Sequence, residues 1–431
     1  MVEPQEISVA SLIQSFKSLQ TSEDDRSLST QRSLVVQAFK SLIAQCPSIC
    51  FQPCSSTHEE NLPTLFQQVE LRTELWNRLK SGLLPSLRHR ITALSLSLDP
   101  CDLRKDPAGK LKQVLEILSE LEQTLVQVKA SIATIAPVLK PSAVSDDAHL
   151  KHLKAFRCGR VRLTVETLVR VLSELFQSGV RFTENLGDAP GQEAGCRDEV
   201  LSVTSMVWSS IDRTIEWFDR SEFSLLQEQW ESEVGLVDDA LDELTELINR
   251  TGPEEANKSG ADSSSEDDDD DYFRDSDSPP SEQVLQLARS TLQIIKLARL
   301  FLNKLSKTTV RKEACRMVTE MSSSQLESLL SSTRSISRNI DEIVCTLGDA
   351  DEHDQAFTTD FLIEFGQNLS ESFEQIQRAL ERYLIPLIAE DTPSASSKVT
   401  SQTWFAEWNK HFLSATQNYT QNVNSFQRNA S

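Results

Sequence analysis

Glycine is scarce, with 12 in 431 residues. Those few do not separate alternating runs of β-branched residues. The tight turns that sandwiches, barrels and doubly wound sheets need are therefore missing. Long apolar runs are missing too, and none approaches the ~18 residues that cross a bilayer. No Gly-x-Gly-x-x-Gly occurs, and Pro107-Ala108-Gly109-Lys110 lacks the upstream glycine and following hydroxyl residue of a phosphate loop. Neither a Gly-x-Ser-x-Gly elbow nor a His-Glu-x-x-His helix is present. These absences remove the common nucleotide-binding and hydrolytic classes. The expectation is a protein with no catalytic residues and no cofactor.

Positive charge is also short. Lys and Arg number 43 against 65 Asp and Glu, a formal net charge of −22. Direct nucleic-acid binding depends on neutralising phosphates, so none is expected. The opening Met1-Val2-Glu3-Pro4-Gln5-Glu6 lacks the basic-then-apolar order of a signal peptide. The expectation is an intracellular chain that does not engage membranes, its eight cysteines reduced.

What the chain does have is helical periodicity around one acidic break. Glu254 to Asp277 holds eleven acidic residues against Lys258 and Arg274, a formal −9, with Asp267 to Asp271 consecutive. Only Tyr272 and Phe273 are large and apolar there. Such a stretch buries too little surface to offset its ordering entropy and reads as a solvated tether. Before it, Leu236, Val237, Ala240, Leu241, Leu244, Leu247 and Ile248 recur at helical spacing, with Asp238, Asp239, Asp242, Glu243 and Glu246 facing away. Thr251-Gly252-Pro253 supplies a stop. After it, Ser278 can cap a helix that has Pro279 in its first turn. Val284, Ala288, Leu292, Ile295, Leu302 and Leu305 then run down one face.

Similar stripes fill the rest. Leu111, Leu115, Leu118, Leu121, Leu125, Val128 and Ile132 give the cleanest helix of the first half. Other helices are expected near 7–19, 34–43, 65–79, 149–176, 200–218, 315–330, 336–347 and 357–388. Ser178 to Gly195 reads as a loop, and Gly82 with Pro85 as a disturbance. Trp404, Phe405, Trp408 and Phe412 mark a last helix, a stripe that fits a core better than a partner anchor. The fold class is all-α: two helical bundles joined by a disordered acidic linker, divided as residues 1–250, 251–280 and 281–431.

One constellation has metal-ligating residue types. Cys46, Cys50, Cys54 and His58 follow one another every four residues. Four such ligands can hold zinc, but even spacing aligns them only along a helix, and Pro47 and Pro53 oppose a helix there. Plain thiols in an irregular connection are expected, with no metal. His149 and His152, beside Lys151 and Lys154, read as surface histidines. Ser263, Ser264 and Ser265 each precede an acidic residue by three positions, the pattern an acid-directed kinase reads, and Ser278-Pro279 is a proline-directed candidate. Arg289, Lys296, Arg299 and Lys304 offer a basic face on which the acidic stretch can fold back.

The central block carries a resemblance. Met206-Val207-Trp208, then Asp238-Asp239-Ala240-Leu241 with Leu244, then the acidic break, then Leu297-Ala298-Arg299 follow one another in that order. This order resembles the cyclin-D-binding protein family (GCIP), whose members carry a Met-Val-Trp helix, an acidic-leucine helix, an acidic loop and a Leu-Ala-Arg helix. The likeness spans about residues 200 to 307. It implies an all-α, non-enzymatic protein of cytoplasm and nucleus, acting on the cell cycle or transcription by binding cyclin-like or transcription-regulatory partners. A vinculin- or catenin-type cytoskeletal adaptor, also built of helical bundles, is the alternative, and it rests on fold analogy alone.

Overall fold

A computed structural model describes residues 8–19, 25–50, 62–137, 146–187, 190–250, 279–308, 318–385 and 396–428. Every regular element among them is helical, so the chain is all-α. The compact units divide between Arg220 and Ser221. The division expected from the sequence lay at the acidic stretch; the helix before that stretch packs with those after it, and residues 251–278 fall within the second unit in chain order.

The first unit comprises α1 (Val9–Leu19), α2 (Asp25–Cys50), α3 (Leu62–Arg78), α4 (Leu84–Ser97), α5 (Pro100–Lys105), α6 (Pro107–Ile135), α7 (Ala155–Glu184) and α8 (Pro190–Asp219). A 3₁₀ stretch, Ala148–Leu153, broken by a kink at Lys151 (φ 55°), precedes α7. The α6 stripe expected from Leu111 to Ile132 is buried throughout. That helix packs on α1, α2, α3 and α4, while α7 lies between α2 and α8. Two Asp-Pro steps start helices: Asp99 accepts from Cys101 N at 2.8 Å ahead of α5, and Asp106 from Gly109 N at 3.0 Å in α6. Arg72 holds the end of α6 in place, its Nη2 donating to Ile135 O at 2.8 Å and Leu153 O at 3.0 Å.

Several breaks expected from the sequence are absent. Pro85 does not end its helix. A π turn, Leu79–Leu83, joins α3 to α4, with the Leu84 N–H donating to Leu79 O. One extra residue per turn takes up the steric conflict between the Pro85 ring and the preceding turn, and the helix continues. Pro47 lies inside α2, close enough to its end that little ladder is lost beyond it. The expected loop from Ser178 to Gly195 is mostly helix, and its turn is made at Gly187, whose φ of 92° suits glycine.

The second unit comprises α9 (Glu222–Asn249), α10 (Glu282–Ser306), α11 (Ser323–Gly348), α12 (Gln355–Ala379) and α13 (Ser396–Arg428). Helix α9 packs on α10 and α11, α11 on α12, and α13 on α10 and α12. The cap of α10 is Ser281, accepting from Val284 N at 3.3 Å, rather than Ser278. Expected helices at 315–330 and 336–347 are one, α11, started by a capping box of Ser322 and Gln325. A second π turn, Leu380–Leu384, follows α12. Leu380-x₃-Leu384-Ile385-Pro386 repeats the pattern Leu79-x₃-Leu83-Leu84-Pro85. Phe301, Phe373, Trp408 and Phe412 form the aromatic core, with Phe301 and Trp408 at 4.5 Å and Phe373 and Phe412 at 4.6 Å between ring centres. Trp408 and Phe412 are therefore core, as expected, while Trp404 and Phe405 are half-buried.

Candidate functional site

Helices α9 and α10 form an antiparallel pair of opposite charge. Helix α9 carries nine carboxylates and no cation, and α10 carries four cations and one carboxylate. The register follows from polar ties at both ends. Gln227 Nε2 donates to Ser306 O at 3.1 Å and Thr308 O at 2.7 Å, satisfying carbonyls at the end of α10. Three turns further along α9, Arg299 donates to Asp238. That hydrogen bond and the Asp238 charge raise the Arg299 pKa above its ordinary value, and Asp242 adds to the effect.

Two of the nine carboxylates face inward. Glu222 Oε2 accepts from Thr319 N and Thr319 Oγ1, both at 2.7 Å. Glu233 accepts from Gln229 Nε2 at 2.6 Å and from the Ser337 hydroxyl. Between them the buried Trp230 donates from Nε1 to Thr333 Oγ1 at 3.1 Å. A buried carboxylate left without donors costs several kcal/mol, so these bonds hold α9 in one register against α11 and against Thr319 just ahead of it.

Most of the others face solvent. Glu228, Glu231, Asp239, Asp242 and Glu246 follow one another at spacings of three, eight, three and four, on one stripe of α9. Gly235 sits in the middle of that stripe with open space around it, and next to it Leu236 is 54% exposed. The stripe thus sets one apolar side chain amid carboxylates, opposite the face that packing fixes. At the end of the hairpin lies a shallow open recess of about 200 Å³, lined by Leu247, Arg250, Pro279, Leu347 and Asp351.

The motif residues fall in two places. Met206, Val207 and Trp208 lie on α8 in the first unit. Val207 is buried, Met206 half exposed, and the Trp208 Nε1 is enclosed without a hydrogen-bond partner among the described residues. The other motif residues belong to the hairpin: Leu244 and Ala298 are buried, Leu241 and Leu297 half-buried, and Asp239 exposed. Of the basic face, Arg299 pairs with Asp238, Arg289 Nη1 with Glu282 Oε1 at 3.2 Å, and Lys304 Nζ lies 5.7 Å from the Trp404 ring centre. Lys296 is exposed. The structure therefore gives three of the four cations partners within their own unit. Ser263, Ser264, Ser265 and Ser278 lie outside the described residues.

Cys46 is buried on α2, while the Cys50 side chain, Cys54 and His58 lie outside the described residues. Among the described residues no cluster of His, Cys, Asp or Glu is arranged to hold a metal ion, and no helix is long and apolar enough to cross a membrane. His149 is exposed, its Nδ1 2.9 Å from Asp146 O. His152 packs edge-on against Trp76, and burial lowers its pKa, with Arg157, Arg72 and Lys151 acting in the same direction. Sequence reasoning missed Gln227, Glu222 and Glu233, whose roles depend on partners more than seventy residues away. A Trp at the inward position of an acidic helix was the available signal.

Two family models match the chain. One, described as a domain of unknown function (DUF8723), matches residues 72–219, and the other, a domain of unknown function (DUF8721), matches residues 221–421. No curated protein and no solved structure matches. The two matches meet at residue 220, where the compact units divide, so each half of the chain is similar to a sequence family of its own.

Proposed function

We propose that the chain is a non-enzymatic regulatory protein that binds protein partners through the α9–α10 hairpin, in the manner of the cyclin-D-binding proteins it resembles. The observation that carries this reading is the α9 stripe: five exposed carboxylates beside the exposed Leu236. Burial of α9's other face against α10 and α11 holds that stripe rigid, so a partner does not have to order it. The partners are cyclin-like or transcription-regulatory proteins met in cytoplasm and nucleus, and the effect is on the cell cycle or on transcription.

Affinity capture from nuclear and cytoplasmic extracts tests the reading. The full chain is compared with a variant carrying Asp239→Lys, Asp242→Lys and Glu246→Lys. D-type cyclins or helix-loop-helix regulators are expected with the parent chain and lost with the variant. Recovery of actin or membrane-junction proteins by both chains would replace the reading with a cytoskeletal adaptor.

A further inference from the structure

Helix α12 has a second surface of a different kind. Phe357, Phe361 and Phe365 stand one turn apart. Phe357 and Phe361 meet edge-to-face at 4.5 Å, and Phe361 and Phe365 stack at 5.7 Å with 26° between their planes. The side of α12 that enters the core is another one: Thr358, Leu362, Leu369, Phe373 and Ile376 are buried. The ladder runs along the border of that face. Phe365 and Phe361 are half-buried, and Phe357, at the amino end, is 56% exposed. Three phenylalanines in a row, kept partly in water, form an apolar ridge that soluble helices seldom leave uncovered.

The charge beside the ridge has one sign. Asp360 follows Phe357 by three residues and Glu364 follows Phe361 by three, so two of the three rings have a carboxylate one turn on, towards solvent. Both are exposed, and neither has an ion-pair partner among the described residues. From Gln355 to Gln377 the helix has no Lys or Arg at all; the first is Arg378, which pairs with Glu374 at 2.7 Å. Asp349, Asp351, Glu352 and Asp354 are exposed just ahead of the helix. A second copy of this acidic helix would meet it with like charge.

We propose that the ridge of Phe357, Phe361 and Phe365 docks an amphipathic helix of a partner protein, one with basic residues beside its apolar face. The apolar stripe of that helix covers the three rings, and its Lys or Arg residues reach Asp360 and Glu364. Docking removes water from carboxylates that have no partner in the free chain, so each ion pair formed is stronger than an exposed one. This site is separate from the α9 stripe and does not depend on it.

The probe is a fluorescent peptide of about four helical turns, leucine and lysine at helical spacing, titrated against the full chain. A peptide of the same composition with the spacing scrambled is the control. Phe357→Ser removes the exposed end of the ridge without touching the core. Asp360→Lys with Glu364→Lys reverses the charge beside it. Glu70→Lys with Glu74→Lys makes the same charge change at two exposed carboxylates of α3.

The first two variants are expected to bind the helical peptide at least ~10-fold more weakly, and the α3 variant within ~2-fold of the parent. Equal weakening by the α12 and α3 charge variants, or equal binding of the scrambled peptide, means that overall acidity attracts the probe, and the proposal fails. It fails also if the parent sediments as a dimer that Phe357→Ser dissociates, because the ridge is then covered by a second copy. Unchanged binding by both α12 variants overturns it directly.

Discussion

Arg299 of α10 is hydrogen-bonded to Asp238 of α9, 61 residues earlier in the chain, so two residues that carry the family resemblance are partners of each other. The pair is 49% and 38% exposed. Exposed ion pairs contribute ~0.2–1 kcal/mol, so its main effect is on register. Asp238→Asn and Arg299→Gln are each expected to lower stability by less than about 1 kcal/mol. In a double-mutant cycle by urea denaturation, the two losses should be less than additive. Full additivity would mean the two side chains do not interact in solution.

Two glycines should respond to alanine with opposite signs. A Cβ on Gly179 would lie 2.7 Å from two ring carbons of Phe39, which is fully buried where α2 meets α7. Gly179→Ala should therefore destabilise by ~1–3 kcal/mol, as overpacked cores do. Gly235 is helical with nothing within 4 Å, so alanine there only narrows the unfolded ensemble. Gly235→Ala should stabilise by ~0.4–1 kcal/mol. Thermal melts of both variants check the signs.

These two positions also show what the sequence could reveal. The stripes on α6, α9, α10 and α12 are legible because burial on one face imposes a 3.6-residue period on the chain itself. Gly179 is not, because the residue it admits, Phe39, lies 140 positions away. Pro85 misled for a related reason: it excludes a regular α turn, yet a π turn satisfies it, and periodicity does not register one extra residue. The acidic stretch stood out by composition, but composition does not say which helices pack together. Leu236 could be read only as part of α9's apolar set, and its exposure depends on where α10 and α11 settle. The helix near 357–388 was visible, but the split of its phenylalanines into a buried face and an open ridge was not.

Burial raises the Cys158 thiol pKa to about 11, against an ordinary 9.0, with Arg72 opposing the shift. Below pH 9 the thiol is neutral in both the folded and the unfolded chain, and the contribution to stability is complete. Above pH 9 the unfolded chain releases its proton while the fold retains it, so stability falls until about pH 11. The loss from this one group is on the order of 2–3 kcal/mol. Urea denaturation of the parent and of Cys158→Ala across pH 8 to 11 isolates it. The variant should start lower because of the cavity and fall less steeply. Parallel curves would show that the thiol does not titrate between those limits.

The place where the chain can be cut follows from what α9 covers. Phe223, Leu226, Trp230, Val237, Ala240, Leu244 and Leu247 are all buried, and the helix packs on α10 and α11. Its inward polar groups, Gln227, Trp230 and Glu233, have partners at Ser306, Thr333 and Ser337. A fragment ending at Arg250 keeps α9 and discards α10 and α11, on which it packs. Seven apolar side chains would then face water with the Glu222 and Glu233 carboxylates among them, and the fragment should aggregate. A fragment ending at Arg220 discards α9 as well and retains a core with partners on every side. It should be soluble, helical and cooperative in melting, and residues 221–431 should behave likewise. Circular dichroism and sedimentation of fragments 1–220, 1–250 and 221–431 distinguish the two divisions. If 1–250 is the well-behaved fragment and 1–220 is not, α9 belongs with the first bundle, and the division between Arg220 and Ser221 is wrong.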